Sequence, residues 1–136
     1  MAHSTYLADL LNNHVLRSTV YSPPPNTYIA LFTSVNGLDD NAEGSQDEAS
    51  GGSYSRLLID GTTRSFTASA LKTTSNNEDW EFTKATAGWG IITHIAIMDA
   101  STSGNVLYYG ILNIARDIQT NDIFRFLAGE FDSIYT

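Results

Sequence analysis

Gly88-Trp-Gly-Ile-Ile-Thr-His-Ile-Ala-Ile-Met-Asp-Ala-Ser-Thr-Ser-Gly-Asn-Val-Leu-Tyr-Tyr-Gly-Ile-Leu112 decides the fold. Two runs rich in β-branched and aromatic residues flank the small, polar stretch Asp99 to Asn105, which is the signature of a β-hairpin with a loop longer than two residues. In the first run Ile91, Thr93, Ile95 and Ile97 share one parity, and Ile92, His94, Ala96 and Met98 share the other. Neither side is clearly polar, so the run reads as a central strand covered on both faces. In the second, Val106, Tyr108 and Gly110 alternate with Leu107, Tyr109 and Ile111. Each large side chain buried there contributes about 1.5–3 kcal/mol, so the hairpin is expected to be the centre of the core.

The remaining chain has the pieces to cover it. Ser4 to Arg17 sets Leu7, Leu10, Leu11, His14 and Val15 at helical spacing, with Ser4 or Thr5 as the cap, and predicts an amphipathic helix over 4–17. Pro23-Pro24-Pro25 makes 22–26 an extended, semi-rigid arm. Thr27 to Thr33, Ser53 to Ile59, Trp80 to Thr83, Ile123 to Leu127 and Phe131 to Tyr135 read as strands, while the Ser/Thr-rich Phe66 to Asn77 fits either a weak edge strand or a loop. Short strands behind one helix predict a mainly β fold, an antiparallel β-sandwich or flattened barrel, as a single domain over 1–136.

Composition bounds the function. The chain has 136 residues, 42% of them hydrophobic, and a net charge of -8, with seven Lys and Arg scattered singly. That balance argues against a phosphate-binding surface, so nucleic acid is not expected as a partner. No cysteine is present, which excludes disulfides and thiolate metal sites. Apolar runs fall far short of the roughly 18 residues of a membrane span, and the first residues lack a secretory pattern, so synthesis in a cytoplasm and no membrane partner are expected.

Candidate chemistry is sparse. His3, His14 and His94 are the histidines, and only His94 lies in the hairpin. Asp99 and the many serines permit a Ser-His-Asp set in principle, but no Gly-x-Ser-x-Gly elbow accompanies them. The acidic loop 34–52 carries Asp39, Asp40, Glu43, Asp47 and Glu48 and no basic residue. Its spacing departs from the Asp-x-Asp-x-Asp-Gly calcium pattern, so a solvated loop is expected. No enzyme, cofactor or metal site is expected. Apolar side chains at the ends of the domain, Leu7, Leu10, Leu11, Pro23, Pro24, Pro25, Phe131 and Tyr135, are the candidate protein contacts.

Tyr6-Leu-Ala-Asp-Leu-Leu-Asn-Asn-His-Val-Leu-Arg17, Tyr28-Ile-Ala-Leu-Phe-Thr33, Gly51-Gly-Ser-Tyr-Ser-Arg56, Trp89-Gly-Ile-Ile-Thr-His94 with Asp99, Gly104-Asn-Val-Leu-Tyr-Tyr-Gly110 and Phe126-Leu-Ala-Gly-Glu-Phe131 follow one another in the chain. In that order they resemble a group of small tailed-bacteriophage virion proteins, often labelled tail-fibre-like, with similar β-sandwich proteins acting as cement or decoration proteins on HK97-type capsids, notably in cyanophages. The resemblance implies a structural virion protein without catalytic residues. It implies a capsid surface location, where the protein bridges major capsid subunits and copies of itself. The alternative is a tail or tail-fibre module that binds a host receptor or glycan.

Overall fold

The computed structural model describes residues 1–36, 38 and 47–134, with the side chains of 133 and 134 left aside. Among them the chain forms, in order, β1 (Ala2–His3), α1 (Thr5–Arg17), β2 (Thr27–Phe32), β3 (Leu57–Ile59), β4 (Thr73–Ser75), β5 (Trp80–Glu81), β6 (Gly90–Met98), β7 (Val106–Ile118), β8 (Arg125–Phe126) and β9 (Asp132–Ile134). The fold is mainly β with one helix near the amino terminus, as the patterning predicts. Five strands make one antiparallel sheet in the order β1-β7-β6-β2-β3. β4–β9 and β5–β8 form two short ribbons, so the layers stay open and do not close into a barrel.

β6 is central, between β7 and β2, and both of its faces are covered. On one, Ile29, Leu31, Leu57, Ile59, Ile95, Ile97 and Leu107 pack with Leu7 of the helix and with Trp80, Phe82, Trp89, Phe124, Phe126 and Phe131. On the other, Ala30, Phe32, Ala96, Met98 and Val106 gather with Leu38, flanked by Tyr28 and Tyr109. The hairpin loop is held by Asp99, whose carboxylate accepts the Asn105 backbone N–H at 2.6 Å and its Nδ2 at 2.8 Å. Gly104 sits at φ +74, where a Cβ would come 2.6 Å from Ala100 Cβ and Asp99 Oδ1.

Strict alternation fails at two places. Pairing runs from Ile92↔Arg116 directly to His94↔Ile111, so β7 carries an excursion over 112–115 opposite Thr93 alone. The slip carries Ile92 onto the face of Ile95 and Ile97, and leaves Ile91 exposed. A second shift, between Ile97↔Tyr108 and Met98↔Val106, inserts Leu107 as an extra residue, so Leu107 and Tyr108 pack on one cluster while Val106 and Tyr109 pack on the other. Tyr108 and Tyr109 point apart, as expected for neighbours in a strand.

The helix starts where the cap predicts. Ser4 is fully buried, its hydroxyl accepts the Leu7 N–H at 3.2 Å and donates to the Val106 carbonyl, and its own N–H reaches Leu107 O at 2.9 Å. One serine thus caps α1 and fastens it to β7. Ser4→Ala is expected to cost about 1–3 kcal/mol, through the lost cap and an orphaned buried carbonyl, read as a lower urea midpoint at unchanged slope.

The other expected strands are shorter than their sequence spans. Ser53 has φ 62 and Gly51 φ 131, so the chain turns before Leu57. Its Tyr54 swings inward to meet Trp89 edge-on at 5.2 Å. The undecided segment Phe66 to Asn77 forms a narrow hairpin, closed by reciprocal backbone bonds between Ala70 and Thr73 at 3.0 Å. Leu71 and Lys72, at φ 51 and 67, occupy left-handed turn positions that suit Asn-Gly. Leu71→Asn with Lys72→Gly is therefore expected to raise stability by about 1 kcal/mol, measured by thermal melting.

Asp60 caps the turn after β3. Its carboxylate accepts the backbone N–H groups of Thr62, Thr63 and Arg64 at 2.9, 2.8 and 3.3 Å. Those bonds, first to Thr62 and then to Arg64, hold its pKa down at about 2. The turn's contribution is complete above the ordinary carboxylate pKa near 4 and fades as pH falls through about 2. An NMR titration of the Asp60 carboxyl should show that low midpoint, and a midpoint near 4 would reject the capping role.

Candidate functional site

The expected contact residues separate into two groups. Leu7 and Phe131 lie in the protein's own core, so they offer no surface to a partner. Leu11 is half-buried against the same core, Leu10 is half-buried, Pro24 is half-buried, and Pro23 and Pro25 are exposed. Tyr135 lies outside the described residues, as do Asp39, Asp40 and Glu43 of the acidic loop. The end of that loop is built into the fold: Asp47 O accepts the Thr33 N–H at 2.9 Å, Glu48 bridges to Phe32, and Ala49 N–H reaches Leu31 O at 2.8 Å.

Exposed aliphatic side chains stand elsewhere. Val15, Leu16 and Val20 mark the far end of α1 and the residues after it, and Val15 does not join Leu7 against the sheet. Val35, Ile91, Ile111 and Ile114 are exposed around the β7 excursion. Val15 and Leu16 are adjacent in the chain, so a helix turned with Leu7 and Leu11 inward leaves at least one of them outside. The Ile111 and Ile114 exposure follows from the slip in register, which no spacing in the sequence announces.

An open groove of about 900 Å³ borders the excursion, lined by Met1, Val35, His94, Ile111, Ile114 and Arg116 among others. His94 Nδ1 lies 2.8 Å from Thr93 Oγ1, and partial burial pushes its pKa below the ordinary histidine value. Asp99, the carboxylate that a catalytic reading would pair with it, is engaged by Asn105 at the hairpin tip. His14 Nδ1 accepts the Tyr21 N–H at 3.2 Å, which ties the helix end to the chain entering the proline arm. Among the described residues no group of three His, Asp or Glu is placed to hold a metal ion, and no helix is long and apolar enough to cross a membrane.

Sequence patterning also leaves out a buried polar corner. Arg56 grips Glu48 with two parallel 2.8 Å bonds and donates from Nη1 to Ala100 O at 2.7 Å and Ser103 O at 2.8 Å. The Tyr54 hydroxyl donates to Glu48 at 2.8 Å and accepts the Leu31 N–H at 3.1 Å. Burial, and next the Glu48 charge, push the Tyr54 pKa far above the ordinary phenol value. This corner joins β2, the base of the acidic loop and the tip of the β6–β7 hairpin.

The described residues thus form an antiparallel sheet with an amino-terminal capped helix and apolar side chains left on the surface. A family model described as podophage GP4 fiber I protein gp80 matches residues 2–133. The chain belongs to that family. The gp80 match spans nearly the whole chain and bears out the resemblance to tail-fibre-like phage virion proteins. As a gp80-family member the protein is a structural component of the bacteriophage virion. Comparison with curated proteins finds no match.

Proposed function

We propose that this gp80-family protein is a non-catalytic building block of the fibre apparatus that the family's description names, joining one virion component to another. The observation that carries the reading is the division of its apolar residues. Two clusters of the protein's own side chains pack the two faces of the sheet around β2 and the second half of β6, while Val15, Leu16, Val20, Ile111 and Ile114 stay exposed. Exposed apolar side chains that cluster, as Val15, Leu16 and Val20 do at the end of α1, are the kind of surface that serves as an interaction site. The engagement of Asp99 by Asn105, and of His94 by Thr93, supports a reading without catalysis.

Capsid cement is the second reading. In it the same surfaces, with the exposed Pro23 and Pro25, bridge major capsid subunits on the outside of the shell. Immunogold labelling of intact virions separates the two. Label at the tail supports the fibre reading, and label spread over the head supports cement. For cement, adding purified protein to particles stripped of it restores heat resistance.

A further inference from the structure

Every residue from Asn12 to Val20 is exposed, so the second half of α1 and the residues that follow project from the body. Isolated helical turns are marginal in water, yet this one carries Val15, Leu16 and Val20 at 72%, 78% and 81% exposure. The surrounding charge is unusual for so acidic a chain. Between Leu10 and Leu38 there is no Asp or Glu, and Arg17 is the single charged side chain of the Asp, Glu, Lys and Arg types. Asp9 lies two turns before it, on the side of the helix away from Leu7 and Leu11. Neither Asp9 nor Arg17 belongs to an ion pair among the described residues.

That arrangement is self-complementary. Asp9 and Arg17 are equidistant from Asn13, roughly 12 Å apart along the axis, so an antiparallel pair of α1 helices centred on Asn13 sets each copy's Asp9 level with the other's Arg17. Leu16, about 20° around the helix from Asp9, then stands level with the second copy's Leu10. A parallel pair would instead oppose like charges. We infer that the outer face of α1 docks against α1 of a second copy of this chain in an antiparallel two-fold pair. A two-fold contact uses one patch twice, which is what a helix face with Asp9 and Arg17 about two turns apart provides. The inference deepens the proposed function by naming one partner. It is tested on purified protein, so its failure leaves the location in the virion untouched.

Sedimentation equilibrium of the full chain decides it. The wild type should form dimers, and Leu16→Asp should sediment as a folded monomer, because a side chain exposed at 78% does not hold the fold together. Asp9→Arg and Arg17→Asp each turn two attractions into repulsions, and should weaken the dimer about tenfold or more. The double swap restores both pairs at the original net charge of -8 and should recover the dimer. Circular dichroism checks that each variant retains its fold. A wild type that stays monomeric, a dimer indifferent to the single swaps, or a double swap that remains weak overturns the inference.

Discussion

Phe131→Ala is expected to destabilise the protein by about 3–5 kcal/mol, lowering Tm by on the order of 10–20 °C. The ring is 2% exposed and meets Phe126 edge-on at 5.2 Å, Trp80 at 5.5 Å and Phe66 at 6.0 Å. Its backbone is gripped on both sides by Asn76: the Asn76 Oδ1 accepts the Phe131 N–H at 2.9 Å, and the Phe131 carbonyl accepts the Asn76 N–H at 3.1 Å. Asn76 is itself buried, with Nδ2 donating to Glu78 O at 2.7 Å and Leu127 O at 2.9 Å. The backbone on either side is therefore held in place, and a hole left by the ring cannot collapse easily. The variant also discriminates between core and contact. A surface contact truncated to alanine weakens assembly and leaves Tm alone, whereas a core ring lowers Tm before any partner is added. An unchanged Tm would return Phe131 to the contact set.

The hairpin and the capped helix were legible because both signals are local. Asp99 to Asn105 is a loop by composition, and Ser4 with Leu7 and Leu11 is a helix start by spacing. The two register slips were not legible, since they depend on which β7 residue meets which β6 residue, and alternation within one strand carries no such information. β1, two residues long, has too little sequence to show a period. Apolar spacing on α1 marks a face to be covered without saying whether the chain's own sheet or another molecule covers it. Leu7 meets the sheet, and the exposed Val15 and Leu16 lie more than two turns further on. Asn76 sits in a Ser/Thr-rich stretch where one more polar residue attracts no notice, and only the fold brings Glu78, Leu127 and Phe131 to its side chain.

Arg56→Ala is expected to cost about 2–4 kcal/mol. Breaking a buried, hydrogen-bonded ion pair from one side typically costs about 3–5 kcal/mol, and the lower range applies because the Glu48 side chain retains 22% exposure while that of Arg56 has 5%. Removing the guanidinium leaves the Glu48 carboxylate, among the described residues, with the Tyr54 hydroxyl as its side-chain donor, and removes the shared donor from the Ala100 and Ser103 carbonyls. The loss is therefore both electrostatic and mechanical: the β6–β7 hairpin tip is released from the base of the acidic loop. Hydrogen exchange at Asn105 and its neighbours in the tip should quicken along with the drop in urea midpoint. Combining Arg56→Ala with Glu48→Gln should recover part of the loss, because the stranded charge disappears even though the hairpin tether is not rebuilt. A double variant as unstable as Arg56→Ala alone would show that the tether to Ala100 and Ser103 carries the stability. Full recovery would show that the charge carries it. A loss below about 1 kcal/mol with unchanged exchange would mean that the corner behaves like an exposed pair, and that the hairpin tip is held by Asp99 and Asn105 alone.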